Sequence, residues 1–186
     1  RERECLAYLK RHILSCFPNN PDAPRLADPA AANRQLITPY FAHYAFPGLI
    51  EHGEMDFVLD QYRKCWGWAL GEGRTTWVEV FDTRWTHCHQ WAGCPTWQLS
   101  RYALGLHSRF DLGDHHYVLK LIPGSLPAAR GTLPMPNGKG SIDIQWKRDA
   151  GGIRFSLEAS EPIWLHVDKA EAPAVAVEAE FKTVLP

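Results

Sequence analysis

The sequence has almost no net charge and no long apolar run. Its 20 Lys and Arg against 21 Asp and Glu leave −1 at neutral pH, so the balance gives no argument for nucleic acid or an anionic membrane as partner. No stretch approaches the roughly 18 apolar residues of a membrane span, and no signal peptide opens the chain. Walker and GxGxxG phosphate loops are missing, as are a GxSxG elbow and an HExxH pair. Nucleotide binding, serine-hydrolase chemistry and zinc-protease chemistry are therefore not indicated, and no cofactor is expected. Cysteine is sparse. The five (Cys5, Cys16, Cys65, Cys88, Cys94) are odd in number and irregular in spacing, which argues against a disulfide framework. His87, Cys88, His89 and Cys94 lack a CxxC anchor, and adjacent residues point in different directions, so no metal is expected. Unpaired thiols lean toward a reducing, cytoplasmic setting.

What the sequence does have is tryptophan in one place. Trp66, Trp68, Trp77, Trp85, Trp91 and Trp97 fall close together around the stretch Gly71–Tyr102, beside Glu79, Asp82, His87 and His89. Indole faces next to carboxylate and imidazole suit a pyranose, whose C–H face stacks while its hydroxyls hydrogen-bond. The same cluster also fits a helical core, where large aromatic residues gather.

Hydropathy changes period along the chain. Leu6, Leu9, Ile13, Leu14 and Phe17 mark an amphipathic helix ending before Pro18, and the proline-rich stretch over 19–33 reads as a long loop. Thr38-Pro39 starts a second helix, apolar on nearly every side and expected to be buried, kinked by Pro47 and stopped by Gly53. A further helix runs over 55–70. TTWVEVF reads as a strand with Trp77, Glu79 and Phe81 on one face, and a last helix covers about 94–106. Beyond His107, short period-two runs separated by PG, PNGKG, DAGG and EAP turns predict an antiparallel unit of five to seven strands. His115 and His116 should open a strand at the surface, and Trp146 and Trp164 should lie in the core. The fold expected is α+β, with residues 1–108 helical and 109–186 a β-sandwich. The chain begins without Met and inside a helix, so it reads as part of something longer.

ITPYFAHY, DQYRKCWGWALGEGRTTWVEVFD, HCHQWAGCPTWQLSRYALGL and LIPGSLPAARGTLPMPNGKGSIDIQWK resemble, in the same order, the C-terminal end of bacterial-type α-L-rhamnosidases. These are glycoside hydrolase family 78, of the six-hairpin group. The resemblance covers about residues 37–147. It implies the last helices of an (α/α)6 barrel followed by a β-sandwich, and an inverting mechanism with Glu79 as general base. Such a mechanism pairs a base that activates water with an acid about 6.5–9.5 Å away. The resemblance also implies sugar binding by His89, with His87 as the other candidate, helped by Trp77, Trp85 and Asp82. The family's general acid lies upstream of this region; Glu51, Glu54 and Glu72 read as ordinary helix-end carboxylates. The chain alone is then expected not to turn over, its partners being a rhamnose-containing glycoside and the upstream part of the same polypeptide. Two alternatives stand beside this: a carbohydrate-binding module without catalysis, and a six-hairpin glycosidase acting on another sugar. Fold resemblance alone does not separate them.

Overall fold

A computed structural model describes residues 1–14, 39–81, 85–136, 138–167 and 174–185. The proline-rich stretch expected to be a loop, the Thr38 cap and Asp82 lie outside the described residues. The protein is mixed α and β, and its chain divides into two compact units, Arg1–Thr96 and Trp97–Pro186. That division falls inside the last helical run, ahead of the position where hydropathy changes period.

The first unit is helical. Helix α1 (Glu2–Tyr8) continues through a π-type turn to Ile13. Helix α2 (Pro39–Glu51) starts on proline, whose missing N–H costs nothing at a helix start. It buries Ala42, Phe46, Leu49 and Ile50, yet Tyr44 is 62% exposed. The expectation of burial all round is thus corrected: α2 keeps one apolar stripe and turns an aromatic face outward. Gly53, at φ +85, ends it. A second helical run comprises α3 (Met55–Gln61), a π-type turn (Tyr62–Trp66) and α4 (Gly67–Gly71). Met55, Val58, Leu59, Tyr62, Cys65, Trp66 and Ala69 are its buried stripe, at the spacing an amphipathic helix requires. Phe46, Tyr62, Trp66 and Phe81 interlock, edge to face except for the tilted Phe46–Trp66 pair, with ring centroids 5.2–6.0 Å apart along the chain of contacts.

The second unit holds two four-stranded sheets. The run formed by α5 (Cys94–Gln98) and a π-type turn (Leu99–Ala103) leads through Gly105 into β1. Gly105 has φ +83, and a Cβ there would stand 3.0 Å from the Leu121 backbone. One sheet has the order β1 (Leu106–Ser108), β2 (His116–Leu119), β6 (Ile163–Val167), β7 (Val175–Val177). The other has β3 (Ala128–Pro134), β4 (Ser141–Asp149), β5 (Gly152–Ala159), β8 (Glu180–Leu185). Alternation in β4 and β5 drives Ile142, Ile144, Trp146, Ile153, Phe155 and Leu157 into one core, shared with Leu119, Ile163 and Leu165 of the first sheet. The Trp146 indole N–H donates to the Ala103 carbonyl at 2.7 Å, so the helical turn is tied to the sheet.

Two expectations about this unit are corrected. The pairing is not wholly antiparallel: β2 and β6 run parallel, with Tyr117 opposite Leu165. Because they are far apart in sequence, a long crossover connects them, as a parallel pair requires. Trp164 is not core but 47% exposed, since it alternates outward from Ile163 and Leu165 and stacks on His116. The described strands number eight, against the five to seven expected: β1, of only three residues, falls within the span read as helical, and β3 carries an Ala-Arg-Gly start with little apolar alternation.

Candidate functional site

The Glu79 region lies entirely in the first unit. Residues 74–81 are not a strand, which corrects the sequence expectation. They form an irregular segment that folds against residues 85–89. The Glu79 amide donates to the Thr86 carbonyl and the His89 amide to the Trp77 carbonyl, both at 2.9 Å. The Thr76 hydroxyl adds a bond to the His87 carbonyl. Successive pairs do not keep one register, and the backbone bends after Val80. Phe81 therefore turns inward with Val78 and Val80, all three buried, instead of sharing a face with Trp77 and Glu79. Trp66 and Trp68 receive it edge-on at 5.2 and 6.2 Å.

Those contacts anchor the segment on one side and leave Trp77 and Glu79 half-buried on the other. Trp77 lies against Gly93, where a Cβ would meet its ring at 3.3 Å. Glycine there lets the indole approach the turn that follows His89. That turn, a single 3-10 turn over Gln90–Gly93, is held from beneath by the Trp66 indole, which donates to the Ala92 carbonyl at 2.7 Å.

The two histidine candidates differ in what they touch. His87 Nδ1 lies 3.1 Å from the Arg74 guanidinium. Because arginine only donates, that nitrogen is the acceptor and the neutral ring carries its proton on Nε2. His89 Nδ1 is buried and has no hydrogen-bond partner, and its ring stands edge-on to Trp91 at 6.1 Å. Cys88, His89, Gln90 and Trp91 line a cleft of about 280 Å³. An unpaired buried ring nitrogen beside a cleft is chemistry that an incoming hydroxyl would satisfy.

Aromatic surface missed in the sequence adjoins this turn. Trp91 stacks on Tyr40 of α2 at 4.9 Å, and Tyr40 shares a 2.8 Å hydroxyl hydrogen bond with Tyr44. That bond, with slight burial, holds the Tyr40 phenol above its ordinary pKa. Trp85, Trp91 and Tyr44 are each at least half exposed. The i, i+4 spacing of Tyr40 and Tyr44 was the available signal. Among the carboxylates read as ordinary, Glu54 is a partner of Lys10 at 2.7 Å, while Glu51 and Glu72 are exposed.

Among the described residues, no group of three or more His, Cys, Asp or Glu side chains is placed to hold a metal ion. No helix among them is long and apolar enough to cross a membrane. No protein-family model and no curated protein sequence matches the chain.

Proposed function

We propose that the chain is the C-terminal part of an inverting glycoside hydrolase that releases α-L-rhamnose, with Glu79 as the general base. The observation that supports this most is the backbone pairing of 77–79 with 86–89. It sets the segment bearing the carboxylate beside the segment bearing His89 and Trp91, while Val78, Val80 and Phe81 anchor it in the core. A half-buried carboxylate on a pinned, non-helical backbone is suited to activating water without the freedom of a solvated helix face. His89 and the exposed indoles would hold the ring, and Trp77 would support the turn. The general acid comes from an upstream part of the polypeptide, which completes the barrel.

The test is hydrolysis of a panel of aryl glycosides, α-L-rhamnoside included. The isolated chain should give no turnover. The polypeptide with its upstream segments should cleave the rhamnoside, and Glu79→Gln should lower kcat about 10²–10⁴-fold, the usual size of a general-base contribution, with affinity retained. Unchanged kcat would remove Glu79 from the chemistry. Turnover by the isolated chain would place the acid among its own carboxylates and end the fragment reading. Preference for another glycoside would point to another sugar.

The Tyr40, Tyr44 and Trp91 surface favours a second reading, glycan binding without hydrolysis. Under it, Trp91→Ala abolishes retention on immobilised glycan, and no rate exists for Glu79→Gln to change.

A further inference from the structure

The outer face of the β3-β4-β5-β8 sheet sorts its charges into rows. Register places Lys147 directly opposite Arg154, and in the next row Arg130 opposite Gln145, with Ser156 opposite Lys182. One row further, Asp143 faces Glu158 and Glu158 faces Glu180. Like charges directly opposite on one face destabilise a sheet, whereas alternating the signs would stabilise it. In a chain of net charge −1, this sorting is local. Arg130, Lys147, Arg154 and Lys182 line a cleft of about 900 Å³ whose lining includes no carboxylate. Arg154 reaches out of the row to Asp149 at 2.6 Å, and Lys182 pairs with Glu180. The Asp149 carboxyl is held below its usual range by the Gly151 amide, and also by Arg154 and Lys147.

We infer that this cleft binds a short acidic oligosaccharide, its uronate carboxylates on the cations and its hydroxyls on Gln145 and Ser156. The ligand would lie across the strands and follow the two basic rows, a span of three strand spacings or roughly 14 Å. Running along the strands instead would carry it over Asp143, Glu158 and Glu180. Outward residues of the basic rows include no aromatic side chain, so the face lacks the stacking platforms on which single-stranded nucleic acid is held, and a uronate there is held by charge and hydrogen bonds, not by ring stacking. Neutral side chains set between cations are the complement of a ring that carries hydroxyls and one carboxylate. The site belongs to the second unit and does not involve Glu79, so it stands or falls apart from the proposed hydrolysis.

The experiment is calorimetric titration of the whole chain at low ionic strength with a galacturonate oligosaccharide. A neutral galactose oligosaccharide and a single-stranded DNA oligonucleotide serve as comparisons. The uronate should bind and the neutral sugar should not. Lys147→Gln with Arg154→Gln should weaken binding at least tenfold, as should Arg130→Gln with Lys182→Gln, each checked for native circular dichroism. Lys64→Gln, which removes one positive charge from the other unit, should leave affinity unchanged. Absence of uronate binding overturns the inference. So do equal binding of the neutral sugar, tighter binding of DNA, or an equal loss with Lys64→Gln.

Discussion

Trp66 is the residue on which the candidate site rests, and replacing it gives a sharp test. Its indole N–H donates to the Ala92 carbonyl at 2.7 Å, beneath the turn that carries His89 and Trp91. The side chain is 3% exposed, packs edge-on against Tyr62 and Phe81, and lies tilted against Phe46. Trp66→Phe removes the donor, which costs about 1–3 kcal/mol when a buried partner is left unmet. It also vacates roughly 40 Å³, worth about 1 kcal/mol at ~24 cal/mol per Å³ if the core does not collapse. The sum is about 2–4 kcal/mol. Trp85→Phe, at a side chain half exposed to solvent, should cost at most about 0.5 kcal/mol. Urea unfolding of both variants, followed by far-UV circular dichroism and by hydrogen exchange in 87–98, measures the difference. Exchange in that segment should quicken in Trp66→Phe alone. Equal stabilities, or unchanged exchange around Ala92, would refute the claim that Trp66 holds the turn.

Other perturbations have equally definite outcomes. Gly152→Ala puts a Cβ 2.4 Å from the Leu185 carbonyl at a φ of +122, so it should lower stability by at least about 2 kcal/mol and loosen the β5–β8 ladder in hydrogen exchange. Burial pushes the Cys65 and Cys94 thiols up to about 12. With folded values above the ordinary thiol range, the folded state holds protons that the unfolded state releases. Stability should therefore be intact below about pH 8.5 and fall by up to about 1.4 kcal/mol per thiol per pH unit above it, which urea midpoints from pH 8 to 10.5 would read. At pH 8 an alkylating reagent should modify the exposed Cys5 and Cys88 and reach Cys65 and Cys94 only after denaturation, as peptide mapping would resolve. Glu54→Gln, which removes the half-buried partner of Lys10, should cost about 0.5–1 kcal/mol at low salt and less at high salt.

Elements whose burial follows a single regular period were legible. Of the stripe that helical spacing predicts over 55–70 (Phe57, Val58, Tyr62, Cys65, Trp66 and Ala69), all but the half-buried Phe57 are buried, and the alternations of β4 and β5 stand where hydropathy puts them, because one buried face is enough to set helix or strand phase. The candidate site was legible only as a set of residue types. TTWVEVF has strand propensity, yet its partner over 85–89 holds it by two out-of-register backbone bonds and Phe81 is drawn into the Trp66 pocket. Propensity yields to such packing.

The sequence by itself determined the mixed α and β class, the turns at Gly53 and Gly152, and the crowding of indoles around one glutamate. These depend on local spacing and on backbone conformations that only certain residues adopt. Tertiary structure alone decided the rest. Parallel pairing of β2 with β6 joins segments some fifty positions apart, and no local pattern records a long-range register. Outward placement of Trp164, the Tyr40–Trp91 stack and the sorted charge rows on the second sheet likewise depend on which strand or helix lies alongside. Burial and charge neighbours are properties of pairs of segments, and they exist only once the chain has folded.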